Sequence, residues 1–113
     1  MVSELPNYMD ILPPKMSNVL TLIRQRARFG AFVVLPHAAF RREERKVSIP
    51  DIIFVLLHGS REPEKDEYKA NFNSWNYAMR GSDVDGRQLR VAVAFDKSEM
   101  LIVTVIPLGK RRA

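Results

Sequence analysis

Residues 37–46 of the sequence, HAAFRREERK, combine one of only two histidines with a cluster of arginines. If this segment is helical, four of its polar side chains fall at i, i+4, i+7 and i+8, on one face: His37, Arg41, Glu44 and Arg45. Like charges four residues apart destabilise an isolated helix, so these arginines need a compensating partner. We expect that partner to be a carboxylate such as Glu44 or an anion from outside the protein.

Histidine and arginine side chains together are suited to cleaving RNA. The ribose 2′-hydroxyl is an internal nucleophile, so the reaction needs a base, an acid and cations around the phosphate, but no metal. Imidazole groups titrate near neutral pH, and guanidinium groups bind phosphoryl oxygens in pairs. Arg87 and Arg90 begin a predicted strand. Arg87 shares the parity of the apolar residues there, so we expect it near the same phosphate.

Purely structural roles are equally open for these residues. His37 follows a proline, a position typical of a helix N-cap or of a half-buried histidine. Arg41 and Arg45 are also suited to pairing with Glu44 and Asp51, in a network that would add little stability.

Two further polar residues have competing interpretations. Thr104 interrupts an apolar strand, where a buried hydroxyl needs a partner. That partner is either a neighbouring strand or side chain, or a ligand. His58 precedes Gly59 and is interpreted as a residue at a helix C-terminus, where positive charge is favourable.

The composition favours a polyanionic partner. The chain has 113 residues and a net charge of +5, with a pI near 9.9, which fits one basic domain. Its positive charge is concentrated in residues 15–46 and at the C-terminal end, a distribution that favours RNA, with charge for solubility as the alternative. With no cysteine and two histidines, we expect no metal site and no other cofactor.

The sequence predicts a cytoplasmic protein without a membrane partner. The first residues, MVSELPNYMDILPP, lack the basic and apolar regions of a signal peptide. The longest apolar run, residues 52–57, is too short to cross a membrane. The absence of cysteine is compatible with a reducing compartment.

The apolar pattern predicts helices in the first half of the chain. Apolar residues recur at three- and four-residue intervals in residues 16–27, with Pro14 in the first turn and Gly30 as the stop. A second helix is predicted between an N-cap at Ser48 and an end at Gly59. The basic segment between them is the candidate for a third helix, and residues 32–35 are either a short strand or a linker.

After Gly59 the period of the apolar residues changes to two, which predicts strands. The candidate strands are residues 68–72, 75–80, 87–95 and 100–108. The expected fold is α+β, with two or three N-terminal helices packed on a three- to four-stranded antiparallel sheet. The predicted organisation is an irregular arm at residues 1–13, a single domain at residues 14–109 and a basic tail at residues 110–113.

The order of these motifs resembles a small bacterial and phage-associated family of unknown function. Its pattern is H-A-x-x-R-x-x-E-R-x-[IV]-S followed by G-R-x-L, matched here by HAAFRREERKVS from His37 and by GRQL from Gly86. The family is grouped with the RelE-, HigB- and MqsR-like toxins, in the superfamily of barnase, EndoU and colicin RNases. The resemblance covers roughly residues 15–107.

This resemblance implies a RelE-like fold, metal-independent RNA cleavage, often inside the translating ribosome, and control by an antitoxin. Seven residues match the family's polar pattern by position: His37, Arg41, Glu44, Arg45, Gly86, Arg87 and Thr104. Lys46 stands where the family often has glycine. Phe40 replaces a residue that is often polar, and we expect it to pack.

We therefore predict a toxin-like, metal-independent RNA endonuclease, an mRNA interferase of a toxin–antitoxin system. The predicted catalytic residues are His37, Arg41, Arg45, Arg87 and Thr104. The predicted substrate-binding residues are Arg41, Arg45, Arg87 and Arg90, with Glu44 as an orienting partner. The expected partners are RNA, on the ribosome in one version of the hypothesis, and a cognate antitoxin. The alternative is a non-catalytic basic module that binds RNA or protein.

Overall fold

A computed structural model describes residues 12–97 and 99–110 of the chain, which form three α-helices and six β-strands. In chain order the elements are α1 (Val19–Arg28), β1 (Phe32–Val34), α2 (Pro36–Glu44), α3 (Ile49–His58), β2 (Ser60–Arg61), β3 (Glu67–Lys69), β4 (Ser74–Ser82), β5 (Arg87–Asp96) and β6 (Glu99–Lys110). Two short 3₁₀ helices, Pro63–Lys65 and Ala70–Phe72, flank β3. The predicted α+β class is confirmed.

The six strands form one open and mostly antiparallel sheet with the order β1-β6-β5-β4-β2, and β3 also pairs with β4. The pair of β1 with β6 is parallel. The sheet has more strands than the three or four we predicted, because β1 and β2 contain only three and two residues. Strands this short leave no alternating pattern in a sequence. For residues 32–35 the sequence predicts either a short strand or a linker, and residues 32–34 form a strand.

Helix α1 begins later than the apolar pattern predicts. It starts at Val19 instead of Pro14, because the chain before it is held by the sheet: the Met16 N–H donates to the Tyr77 hydroxyl at 3.0 Å. The predicted stop is correct, since Gly30 has a φ of +63°, in the left-handed region that glycine adopts without strain.

Helix α3 begins at the residue that the sequence predicts. The Ser48 side chain accepts from the Asp51 N–H at 3.1 Å, and the Asp51 carboxylate accepts from the Ser48 N–H at 2.9 Å. This reciprocal arrangement is a capping box and satisfies two backbone donors at once. His58 is the last helical residue before Gly59, as predicted.

The two faces of the sheet differ in their cover. On the first face Val91 lies opposite Met79 and Val105, all at most 1% exposed, and packs in one core with Ile23 of α1 and Ile52 of α3. On the second face the opposed residues form three neighbouring rows: Ala78–Ala92–Thr104, Arg80–Arg90–Ile106 and Ser82–Gln88–Gly109. Most residues of these rows are partly exposed, so the second face is the one open to a ligand.

The ends of the chain lie mostly outside the described residues. Residues 1–11 of the predicted arm and residues 111–113 of the predicted tail belong to this undescribed part. The end of the arm contacts the sheet, since the Trp75 Nε1–H donates to the Pro13 oxygen at 2.9 Å. Among the described residues, none of the helices has the length and apolar character needed to span a membrane.

Candidate active site

Helix α2 is placed beside β6 by the short parallel strand that precedes it. Strand β1 pairs with β6 only as far as Ile102, and the Leu35 N–H then donates to the Ile102 oxygen at 3.1 Å. Pro36 starts the helix at its first position, where its missing N–H costs nothing. The rest of α2 therefore lies along the edge of β6 that β1 leaves unpaired.

Helix α2 and strand β6 enclose a pocket of about 180 Å³. Its lining residues are His37, Ala38, Arg41, Arg45, Thr104, Val105 and Ile106. Four of the five predicted catalytic residues thus meet in one place, although they come from segments far apart in the sequence. The volume lies below the roughly 300–1,000 Å³ of sites for whole small molecules, and it fits a single phosphate group.

The imidazole ring of His37 and the hydroxyl group of Thr104 are free to bind a ligand in this pocket. His37 is exposed in the first turn of α2, which argues against the alternative of a half-buried structural histidine. Thr104 is half-buried, and within the described part of the chain neither its hydroxyl nor the His37 ring makes a hydrogen bond.

Arg45 is anchored across the pocket to the opposite wall. Its Nη1–H donates to the backbone oxygen of Val105 at 2.6 Å, a carbonyl on the edge of β6 that has no strand partner on that side. Among the described residues, Nε and Nη2 of Arg45 make no further hydrogen bond. The guanidinium is therefore fixed in position and keeps two donors for an anion.

Arg41 is paired with Glu44, the carboxylate that we expected to compensate the like charges on this face of α2. Its Nη1 lies 3.1 Å from Oε1 of Glu44, with 41% and 50% of the two side chains exposed. An ion pair this exposed contributes little to stability, so Glu44 orients Arg41 more than it holds the fold. Asp51, the other candidate partner, instead caps α3.

Arg87 lies outside the pocket and binds the backbone just after α2, next to the pocket wall. Its Nη1 and Nη2 donate to the backbone oxygens of Arg45 and Lys46, both at 2.9 Å, and its Nε donates to Asp83 at 3.1 Å. Burial raises the pKa of Asp83, but the N–H groups of Arg87 and Asp85 and the Arg87 guanidinium outweigh it, and the pKa lies below its ordinary 3.8. Through these bonds Arg87 fixes the backbone of Arg45 and Lys46.

Arg90 is occupied by a carboxylate on the second face of the sheet. Its Nε and Nη2 donate to the two oxygens of Glu62 at 2.6 and 3.0 Å. These bonds from Arg90 are the main reason that the pKa of Glu62 lies below its ordinary 4.5, although burial opposes them. Arg90 lies in the row next to Thr104 and does not line the His37 pocket.

The pocket and its supports fall within one known family. The sequence pattern of a domain of unknown function, DUF4258, matches residues 34–107. The chain belongs to the DUF4258 family. The matched region of the DUF4258 domain includes every residue of the His37 pocket and Arg87, and leaves α1 outside. No curated protein and no solved structure matches the chain.

The DUF4258 domain also has features that the sequence did not predict. Phe40, which we expected to pack, is 62% exposed on α2. A larger pocket of about 870 Å³ lies elsewhere on the second face, and neither spacing nor composition indicates it. It is lined by His58, Gly59, Ser60, Arg61, Glu62, Glu64, Arg80, Gly81, Ser82, Gln88 and Leu108. Each of the two pockets is lined by an exposed histidine and two arginines. We place the chemistry in the smaller pocket, because carboxylates lie beside both arginines of the larger one, whereas Arg45 of the smaller one binds a backbone carbonyl and keeps its charge for an anion.

No group of three or more histidine and carboxylate side chains suited to a metal ion occurs among the residues that the structure describes.

Proposed function

We propose that this DUF4258 protein is a toxin-like RNA endonuclease whose active site is the pocket between α2 and β6. The observation that carries the proposal is the convergence of His37, Arg41, Arg45 and Thr104 on a cavity large enough for one phosphate group. These residues supply the proton-transfer group and the cations that the reaction needs, and a free hydroxyl beside them.

The reaction would be an internal transesterification. The ribose 2′-oxygen attacks the neighbouring phosphorus, the bond from phosphorus to the 5′-oxygen breaks, and the products are a 2′,3′-cyclic phosphate and a 5′-hydroxyl. The 2′-hydroxyl loses its proton and the 5′-oxygen gains one, so the charge balances. His37 would act as the general base or the general acid in these steps, a contribution of about 10²–10⁴ in rate.

The other residues of the site would act on the phosphate. Arg41 and Arg45 bind its oxygens and stabilise the charge of the crowded transition state. Thr104 positions the substrate or orients His37. Glu44 orients Arg41, and Arg87 keeps the Arg45 backbone in place.

Resemblance to the RelE-, HigB- and MqsR-like toxins supports a proposed biological role as a toxin that an antitoxin controls. As a member of that superfamily the protein would act in the cytoplasm as an mRNA interferase, on free or ribosome-bound RNA. A cognate antitoxin would hold it inactive. The exposed α2, with Phe40 beside the pocket, offers a surface for that antitoxin.

The test is cleavage of single-stranded RNA by purified wild type and His37→Ala. We expect the wild type to cut with or without a chelator, to leave 2′,3′-cyclic phosphate ends, and to fail on RNA with 2′-deoxyribose at the cut position. His37→Ala should lose at least about 100-fold in rate. Glu43→Ala, an exposed neighbour on the same helix, is the matched control and should cut normally.

A strict need for a divalent metal, or equal rates for wild type and His37→Ala, would overturn the proposed mechanism. In induced cells the same pair of proteins should differ in growth and in the integrity of messenger RNA.

A non-catalytic basic module that binds RNA or protein is the second candidate. Exposed aromatic side chains favour it, since Phe40 and Phe72 are 62% and 78% exposed and such groups stack on bases or enter protein interfaces. Under this hypothesis Arg41→Ala weakens binding, His37→Ala is nearly neutral, and RNA remains intact with all variants.

A further inference from the structure

The larger pocket opens on the same face of the sheet as Thr104. Arg80, Ser82 and Gln88 line it and belong to the second-face rows that follow the Thr104 row in register. Along β6, Thr104 and Ile106 line the His37 pocket and Leu108 lines the larger one. At about 3.3 Å per residue, the four steps from Thr104 to Leu108 span about 13 Å. The two pockets are therefore neighbours on one continuous surface.

The charges of the larger pocket are unsuited to a phosphate. Arg61 is bound by the buried carboxylate of Asp66, and the Arg80 Nη1 lies 3.7 Å from Glu62. Glu64 adds a second carboxylate to the lining. Arg61 is thus paired with Asp66 and Glu62 is bound by Arg90, while Arg80 and Glu64 carry opposite charges. The lining therefore offers a phosphate group no excess of positive charge.

The uncharged groups of the larger pocket are suited to the edge of a nucleobase. The Gln88 Nε2–H donates to the Ser82 Oγ at 2.5 Å, which leaves the Gln88 carbonyl and the Ser82 hydroxyl proton directed to other partners. Ser60 adds another hydroxyl, and Arg80, with 49% of its side chain exposed, adds guanidinium donors. A mixed set of donors and acceptors of this kind reads the edges of unpaired bases.

We infer that the larger pocket holds a nucleobase of the same single-stranded RNA whose phosphate lies in the His37 pocket, and that Gln88 and Ser82 recognise that base. The inference rests on the proposed function for the position of the phosphate. The volume of about 870 Å³ lies in the range of sites that enclose an organic ligand. Base pairing would hide the edge that these groups contact, so the substrate is unpaired at this position.

The first test is binding, which does not depend on cleavage. Fluorescently labelled oligonucleotides of A, C, G or U alone are titrated into His37→Ala protein, with and without the additional change Gln88→Leu or Ser82→Ala. We expect one base to bind best in the His37→Ala background. Gln88→Leu should reduce that preference at least about fivefold, the effect of losing a specific base contact.

The matched control is Gln25→Leu, the same change at an exposed position on α1, which should leave the preference unaltered. Circular dichroism of each variant shows whether it is folded, and Ser82→Ala removes only one oxygen if Gln88→Leu fails to fold.

The second test maps the ends of RNA fragments produced by the wild type and by Gln88→Leu. We expect a base preference at one position flanking the cut, weakened in Gln88→Leu. Cleavage without such a preference, or with a preference that both variants retain, overturns the inference and leaves the nuclease intact. A Gln88-dependent base preference in binding without any cleavage supports the inference and overturns the nuclease.

Discussion

Nη1 of Arg87 lies 2.9 Å from the backbone oxygen of Arg45, its neighbour across 42 residues of sequence. The bond joins the two segments that carry the family resemblance, HAAFRREERKVS and GRQL, at the point where α2 ends. Arg45 in turn donates to Val105 on β6. One arginine thus fixes the backbone of another, whose side chain forms a wall of the candidate active site.

Replacing Arg87 should destabilise the protein and disturb the pocket together. Arg87→Ala leaves two carbonyls without their side-chain donor and removes the guanidinium from the Asp83 carboxylate, which keeps its two backbone N–H donors. We therefore expect the free energy of unfolding to fall by about 2–4 kcal/mol. Arg87→Lys should recover little of this, because an ammonium group cannot reproduce the planar fork. Urea denaturation measures both changes, with the exposed Arg28→Ala as the control.

If Arg87→Ala is as stable as Arg28→Ala but loses RNA cleavage, Arg87 contacts the phosphate directly, as the sequence predicted. Loss of stability, with cleavage partly restored under stabilising conditions, is the result expected of a positioning residue.

Arg41→Ala should separate RNA binding from stability. Its pair with Glu44 is exposed, so we expect the free energy of unfolding to change by less than about 1 kcal/mol. Loss of one phosphate contact should weaken RNA binding and reduce the slope of log affinity against log salt by about 1. Fluorescence anisotropy at several KCl concentrations measures that slope. A slope equal to that of the wild type would show that Arg41 does not contact the RNA backbone.

The join between α2 and α3 contains a residue in an unfavourable conformation. Lys46 has a φ of +56°, in the left-handed region where a side chain costs about 1–2 kcal/mol relative to glycine. The positive φ accounts for the glycine that often stands at this position in the family that the sequence resembles. Lys46→Gly should therefore stabilise the protein by about 1 kcal/mol, after allowance for the greater entropy of the unfolded chain.

Urea denaturation of Lys46→Gly is best paired with Glu43→Gly, three residues earlier and inside α2. There glycine should destabilise by about 1 kcal/mol. A destabilised Lys46→Gly would mean that the Lys46 side chain makes a favourable interaction that outweighs its backbone strain.

The helical parts of the site could be predicted from the sequence because their signals are local. The capping box at Ser48 involves residues three apart, and the stripe from His37 to Arg45 needs only helical spacing. This helix face lies against β6 because β1 and Pro36 determine where α2 begins. That placement could not be predicted, because a three-residue strand has too few residues to show a period.

The partners of the arginines could not be predicted in the same way. Arg45 and Arg87 both donate to backbone carbonyls, which every residue carries and no motif marks. Strand β6 adds a second difficulty, since its register shifts after Ile102. Ile102 and Val105 consequently share the buried face, although strict alternation would place them on opposite faces.

Acid should destabilise the protein through three buried carboxylates. Burial raises the pKa of Asp66, but bonds from Arg61, the Ala78 N–H and Lys15 outweigh it, so this pKa lies below its ordinary 3.8. The pKa values of Asp83 and Glu62 are also lowered. In each case the unfolded chain binds the proton more readily. The stabilisation is therefore complete above the ordinary values and is lost as the pH falls through the lowered ones.

Urea denaturation at a series of pH values tests this linkage. We expect a constant midpoint between about pH 7 and 5 and a steep fall from about pH 4.5 downward. Asp66→Asn removes the charge opposite Arg61 and should destabilise by about 3–5 kcal/mol at pH 7, with a shallower dependence on acid. The exposed Glu99→Gln, at the start of β6, is the matched control and should follow the wild type. A midpoint that stays constant down to pH 3 would show that these ion pairs do not hold the fold together.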